Sequence, residues 1–294
     1  MRPIRFRKHV ILCAAAALLA ACSAMNTTTT TYRIGKDDTL LDVAHRYKAG
    51  YVEIVAANPS TDPWVPPRGT KVVVPLVHLP PRGETDGIVV NLADMRLYYY
   101  DAPSKPPRSY AIGIGREGLN TPLGNTKIVR MVKDPTWKPT ARMRKEDATL
   151  PAAMPPGPDN PMGTRAMYLG WPTYTIHGSN KPWGVGRRIS SGCVRMYNED
   201  VEELYDLVKV GTKVTIVDQP IKFGWIDGEL YMEAHPTMAE VNRLQVGGKV
   251  DGKVADSTIK QAQTWAGSQS ARLDVERVRE VARERLGYPI RVTR

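Results

Sequence analysis

Two short segments carry the residue types that acyl transfer needs. One is Ile176-His177-Gly178-Ser179; the other is Arg187-Arg188-Ile189-Ser190-Ser191-Gly192-Cys193-Val194-Arg195, with Cys193 sixteen positions after His177. A thiol with the ordinary pKa of about 8.5 is only slightly ionised at neutral pH, so useful attack on a carbonyl requires a nearby imidazole or a positive field. His177 can supply the first, and Arg187, Arg188 and Arg195 the second. Gly192 lets the main chain turn its N–H groups toward one point, which makes Ser191, Gly192 and Cys193 candidates for an oxyanion site. Taken singly, His177 reads as a satisfied core histidine and Cys193 as a buried small hydrophobe. Their joint appearance, with Cys193 left unpaired if Cys13 leaves with an export signal and Cys22 is lipidated, points to a cysteine nucleophile with a histidine base.

The elements that must position them read as strands. Ile88-Val89-Val90-Asn91, Leu97-Tyr98-Tyr99-Tyr100, Ser109 to Ile114, Lys127 to Met131, Tyr174-Thr175-Ile176-His177 and Val214 to Val217 are β-branched and aromatic runs separated by Gly, Pro, Asn and Asp. A histidine at a strand end and a cysteine after a glycine turn can meet across one bend. One helix interrupts the pattern: Asn198 is placed to cap it, Glu199 and Asp200 favour its positive end, and Val201, Leu204 and Val208 recur at helical spacing. A further β segment is expected around Glu229 to Glu233. A tail helix is expected from Ser270 to Leu286, with Ala271, Val275, Val278, Ala282 and Leu286 on one face and Gly287 as its stop.

In this order the chemical segments resemble the YkuD-type L,D-transpeptidase catalytic domain, whose signature is H-G-[ST], a spacer, then S-H-G-C-[VI]-R. Gly113-Ile114-Gly115, Thr121-Pro122-Leu123-Gly124, Asp134 to Thr140 and Pro158 to Gly163 add to the resemblance, which covers about residues 86–218. It implies a β-sandwich-like domain and a cysteine acyl-enzyme without metal or cofactor. Cys193 would attack the carbonyl that joins meso-diaminopimelate to the terminal D-alanine of a tetrapeptide stem. His177 would be the base, oriented by the Gly178 carbonyl, and carbapenems would be inhibitors. Arg195 would hold a substrate carboxylate or the loop itself. Ser190, Lys181, Arg187 and Arg188 would line the cleft or form a solvated basic rim. Trp171, Tyr168 and Trp183 would wall the donor channel or pack in the core. The sequence departs from the pattern at Ser191, where the family has histidine; a hydroxyl and a backbone N–H remain there, without charge.

Upstream, Tyr32 and Ile34, Asp38-Thr39-Leu40, Val43-Ala44, Tyr47, Ile54, Asn58-Pro59 and the closing Val74-Pro75 fall in the order of a LysM module. The resemblance implies a βααβ unit that binds N-acetylglucosamine-containing glycan; a packing appendage of the same shape is the plainer alternative. The expected fold class is therefore mainly β, a small βααβ module followed by a YkuD-type sandwich with a few helices and a helical tail. The expected domains are a lipoprotein signal over 1–21, a tether over 22–30, the LysM-like module over 31–76, the catalytic domain over 84–219 and a C-terminal region over 220–294.

The signal is read from Arg2, Arg5, Arg7 and Lys8, the apolar run Val10 to Ala21, and Leu19-Ala20-Ala21-Cys22, which resembles a bacterial lipobox. Lipid on Cys22 is favoured over plain cleavage near Ala21, and Ser23 after it favours the outer membrane. The whole chain has 294 residues and a net charge of +11; without residues 1–21 it keeps 37 basic against 30 acidic residues, or +7. Outside the cytoplasm that balance suits an anionic wall polymer rather than nucleic acid. Three Cys are too few for a disulfide framework, and Cys193 would be the one free thiol of the mature chain. Three activities fit: transfer to a diaminopimelate amine or to the terminal lysine of an outer-membrane lipoprotein, hydrolysis of the same linkage, and a catalytically silent glycan-binding scaffold. Retention of both Cys193 and His177 weighs against the last.

Overall fold

Thr39 opens the first helix by accepting the Asp42 N–H at 3.1 Å, while the Asp42 carboxylate takes the Thr39 N–H at 2.8 Å, a reciprocal capping box. This helix belongs to the N-terminal unit β1 (Thr29–Arg33), α1 (Leu40–Arg46), α2 (Tyr51–Ala57) and β2 (Lys71–Pro75). β1 and β2 pair antiparallel, Thr29 opposite Pro75 and Arg33 opposite Lys71. The protein is described by a computed structural model over residues 29–102 and 105–294. The expected export signal, the expected lipidation site Cys22 and the expected tether up to residue 28 lie outside the described residues. Thr29 and Thr30, expected in the tether, are already in β1, because a branched β-carbon suits an extended strand with a partner alongside. Asn58 fastens α2 to β2: its amide donates to the Ile54 and Val73 carbonyls and accepts the Val73 N–H.

All seven residues of α2 are buried, which a helix covered on one stripe would not show. Its outer side is covered by the catalytic unit: Tyr51 and Val52 donate backbone bonds to Val185 and Gly186, and Tyr197 Oη donates to the Ala49 carbonyl at 2.9 Å. Ile34, Leu40, Val43, Tyr51 and Ile54 accordingly belong to one hydrophobic core with Ile88, Leu97, Ile176 and Val194. The small unit is thus fixed against the loop that leads to Cys193.

The catalytic unit runs β3 (Gly87–Asn91), β4 (Arg96–Tyr100), β5 (Arg108–Ala111), β6 (Ile114–Gly115), β7 (Gly124–Lys133), α3 (Ala141–Glu146), β8 (Arg165–Leu169), β9 (Thr175–His177), β10 (Arg188–Ser190), β11 (Val194–Arg195), α4 (Asn198–Leu207) and β12 (Lys213–Val217). Eight of these strands form one sheet in the order β11-β9-β8-β7-β12-β3-β4-β5. The sandwich expected from the resemblance is realised as a single sheet curled on itself. Just past β5, Gly113 exchanges both backbone bonds with Arg195 of β11, at 2.8 and 2.9 Å, so the two ends of the sheet meet. Strand alternation divides β3 and β4 between two cores. Ile88, Val90, Leu97 and Tyr99 face the main one, while Val89, Tyr98 and Tyr100 pack with Val217 on the other side.

The C-terminal region contains β13 (Ile221–Ile226), β14 (Glu229–Ala234), α5 (Met238–Leu244), α6 (Asp256–Ala266), α7 (Val275–Glu284) and β15 (Ile290–Arg291). The three strands form their own sheet, and α6 and α7 pack on it around Leu230, Met232, Ala262, Val278 and Val281. The expected tail helix is shorter than its periodicity suggested. Asp274 caps it by accepting the Arg277 N–H at 3.0 Å, Ala271 lies exposed in a preceding 3₁₀ turn, and Arg285 in the left-handed conformation ends it two residues before Gly287, which also has positive φ. Helices α3, α5 and α6 were not expected. α6 fully buries only Thr258, Ala262 and Ala266, small residues, with Ile259 and Trp265 half-buried against the same core, so the sequence shows no strong apolar stripe.

Candidate active site

Strands β9 and β11 run parallel at the edge of the sheet, with Val194 opposite Ile176 and Arg195 opposite His177. Ile176 and Val194 point into the core, so strand alternation turns Thr175, His177, Cys193 and Arg195 to the other face. One residue back along the ladder, Cys193 stands opposite Thr175 and diagonal to His177. A strand spacing of about 4.8 Å and a two-residue offset of about 6.6 Å set these Cα atoms roughly 8 Å apart, a gap that two side chains on one face can close. The sequence fixes this placement simply: a two-residue shift keeps a residue on the same face, and parallel register does the rest.

The imidazole has a defined tautomer. His177 Nδ1 lies 2.6 Å from the Gly178 carbonyl, so Nδ1 carries the proton and Nε2 is left as the acceptor. His177 is buried, and burial together with the positive charge of Arg195 pushes its pKa down to about 4, against a smaller upward pull from the Gly178 carbonyl. Burial pushes the Cys193 thiol up, and hydrogen bonding from the Thr175 backbone, the charge of Arg195 and the Thr175 hydroxyl draw it back. The thiol donates to the Thr173 carbonyl at 3.4 Å. The resting pair is therefore neutral thiol and neutral imidazole, and proton transfer to Nε2 must accompany attack. Burial also lowers the pKa of Arg195; the Cys193 sulfur is the group that favours its cation, and its Nε is buried without a partner among the described residues.

The turn that presents Cys193 is held from two sides. Gly192 has φ +106°, and a Cβ there would stand 2.8 Å from the Tyr174 ring, so both conformation and space demand glycine. Ser190 Oγ donates to the Cys193 carbonyl at 2.6 Å and accepts the Gly192 N–H at 3.1 Å. Two expectations change as a result. Ser190 is buried and its hydroxyl is used inside the turn, so it supports the loop and does not line the cleft. The Gly192 N–H is consumed by Ser190, leaving Ser191 and Cys193 as the N–H groups not donated to a protein acceptor among the described residues. The Gly192 carbonyl instead accepts from Thr121 Oγ1 at 2.9 Å.

The neighbouring basic residues separate. Arg188 is buried, its guanidinium reaching Asn120 Oδ1 at 2.8 Å, Asn242 Oδ1 at 3.0 Å and the Met238 carbonyl at 3.3 Å, so it ties β10 to α5 and not to a substrate. Arg187 lies over the Tyr51 ring of α2, 5.1 Å from its centroid. Lys181 is exposed and Trp183 half-exposed on the preceding loop. Trp171 packs edge-on against Tyr174 beside Gly192, whereas Tyr168 is covered by the Arg130 guanidinium. Sequence reasoning missed Thr175, which period-two alternation from His177 would have placed on the site face, and Thr121, whose role needs the fold. For a metal, the ligand atoms of His78, Glu233 and His235 gather within 4.8 Å among the described residues. Lys222 Nζ already stands 3.0 Å from the shared Glu233 oxygen, so the carboxylate has its cation.

The L,D-transpeptidase catalytic domain (YkuD) profile matches residues 85–216. A probable L,D-transpeptidase ErfK/SrfK of Salmonella typhimurium is 40% identical over 256 residues, 85% of this chain and 81% of that protein. A probable L,D-transpeptidase YbiS of Escherichia coli is 38% identical over 266 residues, 88% and 84% of the two chains. The chain belongs to the YkuD L,D-transpeptidase family. An NMR structure of the catalytic domain from an Enterococcus faecium L,D-transpeptidase aligns with 46% of this chain and 99% of that one, at 25% identity and a TM-score of 0.37. Within the family's S-H-G-C pattern this L,D-transpeptidase carries Ser191, whose hydroxyl makes no hydrogen bond among the described residues. What position 191 can offer the reaction is its backbone N–H, which any residue but proline supplies.

Proposed function

We propose that the protein is a peptidoglycan L,D-transpeptidase in which Cys193 is the nucleophile and His177 the base. The observation that carries this reading is the parallel β9/β11 pairing, which puts the thiol on the same face as an imidazole whose Nε2 is free to accept a proton. Cys193 Sγ attacks the carbonyl between meso-diaminopimelate and D-alanine as its proton passes to His177 Nε2. The N–H groups of Ser191 and Cys193 receive the developing oxyanion. Collapse breaks the amide bond, and D-alanine leaves with the proton from His177. An acceptor amine then attacks the thioester, His177 takes the amine proton, and the thiolate departs to be reprotonated. Arg195, a half-buried cation without a carboxylate partner among the described residues, holds a carboxylate of the stem peptide.

The acceptor is the lysine of a small outer-membrane lipoprotein or a second diaminopimelate amine. The N-terminal βααβ unit is a LysM module that holds glycan; its motif order supports this, and its packing against the loop before Cys193 would keep glycan and stem peptide in one frame. The mature protein is lipid-anchored through Cys22 and works in the periplasm at the outer membrane; the lipobox-like sequence and Ser23 support this part of the reading. Purified protein given disaccharide-tetrapeptide, with and without a lysine-ended peptide, tests the reaction by product mass. Loss of D-alanine with peptide addition means ligation, a dimer means crosslinking, and water in place of the amine means hydrolysis. Cys193→Ala should abolish product and covalent labelling by a carbapenem alike; unchanged product from that variant refutes the assignment.

A further inference from the structure

Asn198 was expected to cap α4, but the residue at the cap position is Tyr197, and Asn198 is the first helical residue. Its side chain leaves the helix end and brackets the backbone of Ser179. Oδ1 accepts the Ser179 N–H at 3.1 Å, and Nδ2 donates to the Ser179 carbonyl at 3.1 Å. The approach is close enough that a Cβ on either Gly163 or Gly178 would collide with Asn198 Oδ1.

The Ser179 N–H and the Gly178 C=O belong to one planar trans peptide and point in opposite directions. Holding the N–H end therefore aims the carbonyl end, and that carbonyl is the group 2.6 Å from His177 Nδ1. The Gly178 N–H is separately tied to the Arg165 carbonyl at 3.1 Å, so the unit before this peptide is also fixed. We propose that Asn198 is the positioning residue that sets the tautomer of His177, by gripping the Gly178–Ser179 peptide from the side away from the ring. The inference rests on the reading of His177 as base. Without the grip, the peptide can rotate, Nδ1 loses its acceptor, and the proton can move to Nε2, where it blocks uptake of the thiol proton.

The test combines three measurements on the folded protein: ¹⁵N NMR of the His177 ring, the rate of acylation by a carbapenem followed by mass, and the melting temperature. Wild-type protein should carry the proton on Nδ1. Asn198→Ala should populate the Nε2–H tautomer and acylate about tenfold more slowly or worse. Asn198→Asp keeps an acceptor for the Ser179 N–H and should restore the Nδ1–H tautomer and most of the rate. Asn198→Ser suits a helix start but is too short to reach Ser179, and it replaces the alanine variant should that fail to fold. Tyr197→Phe removes the neighbouring bond to Ala49 and controls for stability alone. An Nδ1–H tautomer retained in the alanine or serine variant overturns the proposal, as does a rate loss that merely tracks melting temperature as it does in Tyr197→Phe. Wild-type acylation by His177→Ala would instead overturn the reading of His177 as base, while the tautomer measurement would still report on Asn198.

Discussion

Thr121 Oγ1 donates to the Gly192 carbonyl at 2.9 Å while accepting the Gly115 N–H at 3.1 Å. The Gly192 carbonyl shares a planar peptide with the Cys193 N–H, so the bond that fixes one end aims the other. The proposed nucleophile and base are thus positioned by the same device: a side chain from another segment holds the far end of a peptide whose near end faces the site. In the one case the segment follows β6; in the other it is the start of α4.

Thr121→Val keeps the shape and removes both bonds. The Cys193 N–H then loses its fixed direction toward the oxyanion, and acylation should slow by between about tenfold and a hundredfold. Alkylation of Cys193 by iodoacetamide, which develops no oxyanion at a carbonyl, should change little. Measuring both rates on one preparation decides the matter: equal losses would mean that Thr121 supports the thiol generally and not its N–H.

The depressed pKa of His177 fixes the pH response. In the free protein the imidazole stays neutral down to about 4, so with His177 as base the acid limb of Cys193 acylation should lie near 4 and not near the ordinary 6.5. Stability follows the same sign. The unfolded chain takes up the proton below 6.5 while the folded one does not, so stability is fully present above that pH and falls as the pH drops toward 4. This group alone accounts for about 3 kcal/mol of that fall. Because the charge of Arg195 helps depress the value, Arg195→Gln should raise it, read directly by NMR titration of the His177 ring. A titration unchanged by the substitution would show that burial acts alone.

Much of this site was legible in the sequence because its chemistry is carried by local signals. The strand ending at His177, the glycine before Cys193 and the strand-like run from Lys127 all needed only neighbouring residues to be read. The N-terminal βααβ order was likewise visible, since Thr39 caps its own helix and Asn58 ends α2. What escaped depends on contacts between distant segments. Asn198 has the composition of a cap, and only the approach of Gly163 and Gly178 turns it toward Ser179. Arg188 looked like a basic rim because its partners, Asn120 and Asn242, are far away in sequence. Ser190 gave no sign that its hydroxyl closes on Gly192 and Cys193. α6 fully buries only threonine and alanine, with Ile259 and Trp265 half-buried beside them, a stripe too weak for apolar periodicity to detect.

The C-terminal sheet is joined to the rest by a buried ionic network, and breaking it should separate stability from catalysis. Lys222 Nζ stands 2.6 Å from Asp94 and 3.0 Å from Glu233; Glu233 Oε1 also meets His78 Nδ1 at 2.9 Å and His235 Nε2 at 2.7 Å. His78 continues to Glu53 of α2 at 2.7 Å, and Arg96 of β4 joins the same carboxylate at 3.0 Å. Glu53 and Glu233 are held below the usual carboxylate range by these cations, and the two carboxylates raise the pKa of His78 in spite of burial. The network is therefore strongest between the carboxylate range and the raised His78 value, weakening as pH falls through the first or rises through the second. Glu233→Gln leaves Lys222 and His78 with one anion fewer in a site without water contact, and should cost about 3 to 5 kcal/mol in urea unfolding near neutral pH. The groups that set the pKa values of Cys193 and His177 include none of these residues. Acylation by the folded variant should therefore stay within about twofold of wild type, the residual coupling usual between sites without shared partners. A large fall in acylation without loss of stability would mean that the C-terminal sheet acts on the site directly.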